Sequence, residues 1–68
     1  MKITVVFLPS RQTKEVKLEE GSTGMDLVRG LDLAPDSQIL ARSNRPIPID
    51  ERLVDGETLT LISVASGG

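Results

Sequence analysis

The sequence predicts an α+β fold of two layers, in which one helix crosses one mixed β-sheet of four to five strands. Three observations predict it. Strongly β-prone runs open and close the chain, at residues 3–8 and 58–64. A single short helical pattern lies between them, at residues 23–31. Finally, 68 residues with no cysteine and no histidine leave neither disulfide nor imidazole or thiolate metal site to hold the chain, so regular packing must do so.

Residues 3–8, Ile-Thr-Val-Val-Phe-Leu, form the first strand, stopped by Pro9-Ser10 because proline donates nothing to a ladder. Residues 13–18 alternate, with Val16 and Leu18 on one face and Glu15 and Lys17 on the other, so a short connection makes a half-solvated β-hairpin. Thr23 followed by Asp26 carries helix-start chemistry, a capping hydroxyl answered three places on by a carboxylate. Leu27, Val28 and Leu31 then supply one apolar stripe, Gly30 weakens the last turn and Pro35 forbids extension. Leu33 sits just past the helix as a plug for the core. Residues 38–42 read as a third strand and Ser43-Asn44-Arg45 as a turn. Pro46 and Pro48 confine their segment to a sheet edge or extended loop. Asp55-Gly56 signals a tight turn before the last strand. The first and last strands are the most apolar and should be central. Ile3, Val5, Val16, Leu18, Leu27, Leu31, Leu59 and Leu61 are expected to make one core.

Composition narrows the function classes. Without Cys or His there is no thiol nucleophile and no imidazole base, so a freestanding enzyme is not expected. The neighbouring acids Asp50-Glu51 and Glu19-Glu20 do not face one reacting atom, and no metal or bound cofactor is expected. Net charge is −2 and the single aromatic is Phe7, so the basic, aromatic-studded stripe of a nucleic-acid binder is missing. No apolar run approaches ~18 residues and no charged-then-apolar leader opens the chain. The expectation is a cytoplasmic monomer.

The chain ends Ala65-Ser66-Gly67-Gly68, directly after the last strand. Two residues without side chains can thread a channel too narrow for any Cβ and deliver one group, the α-carboxyl of Gly68. Residues 1–64 are therefore read as the domain and 65–68 as a flexible tail, which extended reaches about 14 Å at ~3.5 Å per residue.

Met1-Lys2-Ile3-Thr4-Val5 and residues 58–68 can be laid without a gap on the two ends of ubiquitin. Residues 31–37 (Leu-Asp-Leu-Ala-Pro-Asp-Ser), 44–48 (Asn-Arg-Pro-Ile-Pro) and 61–68 (Leu-Ile-Ser-Val-Ala-Ser-Gly-Gly) resemble the short prokaryotic sulfur carriers and small archaeal modifier proteins. The resemblance covers essentially the whole chain and implies a ubiquitin-like β-grasp fold. It also implies a carrier: an E1-like enzyme uses ATP to adenylate the Gly68 carboxylate. The acyl-adenylate then becomes a thiocarboxylate sulfur donor, foremost for tRNA 2-thiouridine formation, or is transferred to a protein lysine as an isopeptide. Molybdopterin and thiamine synthesis are the alternative sulfur destinations. A noncovalent β-grasp binding module, with the Gly-Gly a loose end, is the competing class.

Strand parity puts Ile62 and Val64 with Thr58 and Thr60 on the face the helix leaves open, beside the tail. Exposed apolar clusters tend to mark partner sites. Ile62 and Val64, joined by Leu40 and by Ser66 of the tail, are thus the expected docking patch for the activating enzyme. Arg42, Arg45 and Arg52 are expected to flank it, though exposed arginines are ordinary surface. Lys2, Lys14 and Lys17 are the candidate acceptor lysines for a further copy.

Overall fold

The computed structural model describes residues 1–64; the segment 65–68, with Ser66, Gly67 and Gly68, lies outside the described residues. Five strands form one sheet: β1 Lys2–Leu8, β2 Gln12–Lys17, β3 Gln38–Arg42, β4 Arg45–Ile47 and β5 Thr58–Ser63, in the order β2-β1-β5-β3-β4. β1 and β5 run parallel side by side, and every other pairing is antiparallel. The two most apolar strands are indeed central, where neighbours on both sides satisfy their backbone groups and their helix-side residues lie under the middle of the core. One helix, α1 Gly24–Gly30, lies across one side of the sheet, and a 3₁₀ turn, Pro35–Ser37, leads into β3.

Helix α1 begins where capping chemistry predicts. The Asp26 N–H donates to Thr23 Oγ1, while the Thr23 N–H donates to Asp26 Oδ2 at 2.9 Å, satisfying two orphan amides reciprocally. The segment before the helix is tied to the long loop 48–57. The Gly24 N–H donates to the Glu51 carbonyl, and the Leu53 N–H to the Ser22 carbonyl, each at 3.0 Å. Gly24 is buried there, and its missing Cβ is what permits the approach: an ideal Cβ would lie 2.8 Å from the Ile49 carbonyl oxygen and closer still to Leu40 Cδ2. The β3–β4 hairpin turns through Ser43 and Asn44, both at positive φ, and Arg45 already belongs to β4. Two consecutive left-handed residues match the twist of a two-residue hairpin.

The core comprises Ile3, Val5, Leu27, Val28, Leu40, Leu53, Leu59 and Leu61, each worth about 1.5–3 kcal/mol if fully buried. Val16, Leu18, Leu31 and Leu33 pack against it only partly buried, since β2 is an edge strand and the last three lie beyond element ends. Leu40 corrects the expected exposed patch: it is 2 % exposed and stands opposite Leu61, itself 1 % exposed, on the helix side of the sheet. A one-residue difference in parity decides this, because neighbouring residues in a strand point to opposite faces.

Candidate functional site: the open face of the sheet

The face without the helix is graded from polar to apolar along the strands. At one end the register sets Thr4 beside Thr58 and Lys2 beside Lys17. At the other, Leu8, Ile62 and Ile39 lie in one row across β1, β5 and β3, and Val6, Thr60 and Ala41 in the next. Ile62 is half-buried by its neighbours, whereas Ile39 is 41 % and Val64 45 % exposed. The Val64 N–H donates to the Ser37 carbonyl at 2.9 Å, which pins the last described residue at the apolar end of this face.

Of the expected patch residues, the structure therefore brings Ile62 and Val64 together and replaces Leu40 by Ile39. Leu8 and Val6 complete the surface and were missed. Their signal was available: a central strand is apolar on both parities, so the Val6 and Leu8 side of β1 had to go somewhere other than under the helix.

The arginines do not ring the patch. Arg42 stands opposite Leu59, on the helix side, at the edge of the core. Its Nε and Nη2 donate to the two Glu57 carboxylate oxygens at 2.7 and 3.1 Å, its Nη1 to Glu51 Oε2 at 3.2 Å, and its Nη2 also to the Arg52 carbonyl at 3.0 Å. Such a planar fork on a carboxylate is a positioning contact, and here it fastens the loop 48–57 to β3. Burial pushes the Glu57 carboxyl up, but the Arg42 hydrogen bonds and charge and the Val54 N–H outweigh it and hold Glu57 below the ordinary carboxylate range. Donating that hydrogen bond to Glu57 also raises the Arg42 pKa. Arg45 is the register partner of Arg42 and so shares its side, while Arg52 forms a backbone bridge to Thr23 in the loop packed at the helix start. The expectation that these three flank Ile62 and Val64 fails because each belongs to the opposite layer.

All three lysines lie on the β1–β2 hairpin. Lys2 Nζ is 3.6 Å from Glu15 Oε2, Lys17 stands directly opposite Lys2, and Lys14, opposite Val5, sits on the helix side. Each is exposed and far across the sheet from the apolar end. A shallow polar depression lined by Lys17, Leu18, Glu19, Glu20, Gly21, Ser22 and Asp26 holds no convergent reactive groups. Among the described residues, no helix is long and apolar enough to cross a membrane.

A β-hairpin, a capped helix across the sheet, and a final strand inserted between the first and third define the ubiquitin-like β-grasp. SAMP1 from Haloferax volcanii superposes with a TM-score of 0.76 over the whole of both chains at 17 % identity. Caldiarchaeum subterraneum ubiquitin does so at 0.73 and 23 % identity, over this whole chain and 98 % of its own. More particularly, the family model described as small archaeal modifier protein 2 matches residues 1–64, and the chain belongs to that family. Small archaeal modifier protein 2 of Haloferax volcanii is 31 % identical over 68 residues, the full length of both chains. An uncharacterized protein of Archaeoglobus fulgidus is 29 % identical, again over the full length of both.

Proposed function

We propose that this chain acts through the carboxylate of Gly68, as a carrier rather than a catalyst. The observation that carries the reading is positional. β5, the centre of the sheet, leads straight into Ala65-Ser66-Gly67-Gly68, and it enters that segment at the apolar end of the open face. A partner that docks on Ile39, Ile62 and Val64 thereby receives the segment that follows them. Membership in a modifier family supports the same reading.

The chemistry follows from the group itself. With an α-carboxyl pKa near ~3.5 the carboxylate is ionised at neutral pH and is a poor electrophile. An E1-like enzyme would bind the ATP and direct a Gly68 carboxylate oxygen onto its α-phosphorus with loss of pyrophosphate. Displacement of AMP by hydrosulfide gives a thiocarboxylate, a donor for tRNA 2-thiouridine formation. Displacement by a lysine Nζ gives an isopeptide. Lys14 and Lys17 are the acceptors we assign for attachment of a second copy, ahead of Lys2, whose amine is held near Glu15.

The test is ATP–pyrophosphate exchange with the cognate E1-like enzyme, followed by intact mass. Wild type is expected to support exchange and, with a sulfur source, to gain the mass of one sulfur-for-oxygen replacement. A chain ending at Gly67 should do neither while keeping its thermal midpoint. Full exchange by that shortened chain would overturn the carrier reading and leave a noncovalent binding module.

A further inference from the structure

Two edges bound the sheet, and their backbones are chemically opposite. In an antiparallel pair, residues alternate between exchanging both hydrogen bonds with the neighbour and turning those groups away. Met1 and Leu18 exchange theirs, at 2.7 and 2.8 Å. Counting down the register from that pair, Val16, Lys14 and Gln12 bond to β1, and Lys17, Glu15 and Thr13 turn their N–H and C=O groups outward. On the far edge Pro46 has no N–H, so Arg45 and Ile47 hold β3 while Pro46 faces out, followed at the same parity by Pro48. The β4 edge is therefore stripped of donors, whereas β2 offers three at two-residue spacing.

We propose that β2 is a self-pairing edge, occupied by the β2 of a second copy running antiparallel with Val16 on the two-fold axis. Charge selects both the partner and the register. Axes through Lys14, Glu15 or Lys17 would each set a charge against its own copy, and axes through Gln12 or Thr13 run off the end of the strand. The axis through Val16 alone places Glu15 opposite the partner's Lys17, and Lys17 opposite the partner's Glu15. Those are outward-facing residues, so they also exchange the new backbone hydrogen bonds. On the helix side Val16 meets the partner's Val16 as a close, non-hydrogen-bonded pair, and the Lys14 stem covers the partner's Leu18. Val16 and Leu18 are both only half-buried in the single chain.

The contact also answers a charge left over in the monomer. Lys17 lies directly opposite Lys2, yet Lys2 alone has a carboxylate, Glu15, within 4.0 Å among the described residues. A carboxylate arriving on the outer side of Lys17 completes that row. Since the axis is perpendicular to the sheet, both helices fall on one side and both open faces on the other, and the two apolar ends stay uncovered. Pairing through one six-residue strand buries less than the roughly 1,200 Å² of a stable interface, so the single chain prevails when dilute and the pair forms near millimolar concentration.

The experiment is a charge exchange read by sedimentation and by amide NMR shifts against concentration. Wild type should self-associate, with shifts centred on Thr13, Glu15 and Lys17. Glu15→Lys alone and Lys17→Glu alone should each weaken association about tenfold or more, since like charges then oppose in both symmetric positions. An equimolar mixture of the two single variants should associate again, because the lysine introduced in one copy then faces the glutamate introduced in the other. Circular dichroism checks that both fold. A wild type that stays monomeric at millimolar concentration, single variants that associate as it does, or a mixture that fails to recover would overturn the proposal, as would shifts centred on Ile39 and Ile62.

Discussion

Replacing each of the two glycines that bound α1 by alanine should change stability in opposite directions. At Gly30 nothing lies within 4 Å of an added Cβ, and the position is exposed with ordinary backbone angles, so Gly30→Ala should gain about 0.5–1 kcal/mol from reduced unfolded-state entropy. At Gly24 the same atom would stand 2.8 Å from the Ile49 carbonyl oxygen, well inside van der Waals contact, and nearer still to Leu40 Cδ2. Neither neighbour yields readily. Ile49 presents backbone, and the loop carrying it is tied down by the Glu51 carbonyl bond to Gly24 itself and by the Arg42 fork. Leu40 is core at 2 % exposure, so its methyl has no empty space to enter. Overpacking of this kind costs about 1–3 kcal/mol, from which a helix-propensity gain of at most ~1 kcal/mol is subtracted. Gly24→Ala should thus lose up to about 3 kcal/mol net, which at the upper end is a large share of what so small a domain possesses. Denaturant melts of the two variants beside wild type, with unchanged slope, measure both values. Midpoints that move in the same direction would refute the account of how α1 seats on the sheet.

Adjacent residues of β5 should separate stability from docking. Leu61→Ala should cost about 2–5 kcal/mol in a denaturant melt, because Leu61 is 1 % exposed between Phe7 and Leu40. Ile62→Asp, and likewise Ile39→Asp, should leave the fold largely intact while weakening binding to the activating enzyme in a titration. Unfolding of either aspartate variant would place that residue in the core. Glu57 should make stability acid-sensitive: its folded pKa is depressed, so its contribution is fully present above the ordinary carboxylate pKa and is lost as pH falls through the folded value. Wild type and Glu57→Gln should accordingly differ most in thermal midpoint near neutrality and converge in strong acid. A constant difference across that range would show that the Arg42–Glu57 charge pair is not the cause.

The elements were legible because each is announced by local chemistry. Thr23 and Asp26 wrote the helix start, Pro9 wrote the end of β1, Pro46 put β4 at the edge of the sheet, and the alternation of β5 assigned Leu59 and Leu61 to the core and Ile62 to the open face. Leu40 shows where local reading ends. Gln-Ile-Leu-Ala-Arg carries two large aliphatics side by side, and a strand buried on one face and half-covered on the other accepts either phase. Only pairing with β5 settles it, and pairing is a long-range property that no window of five residues contains. Arg42 failed for a related reason: its partners Glu51 and Glu57 lie 9 and 15 residues away in a loop whose path the sequence does not fix. The Gly-Gly reading depends on neither and lies outside the described residues, resting on the chemistry of the Gly68 carboxyl alone.

The insertion of β5 between β1 and β3 also sets the order in which the molecule is made. β5 is the last of the described strands in chain order, so a nascent chain that stops before it has no strand between β1 and β3 and lacks Leu59 and Leu61 from its core. Such chains lack both the strand that joins β1 to β3 and two core leucines, so they should not reach this fold. Folding thereby reports completion of synthesis through Ser63: the row of Leu8, Ile62 and Ile39 comes into being only on a copy that already holds the segment leading to its tail. Under the carrier reading proposed above, a partner that docks on this row would meet only copies whose synthesis had passed Ser63, and shorter fragments, having no such row, would offer it nothing to bind.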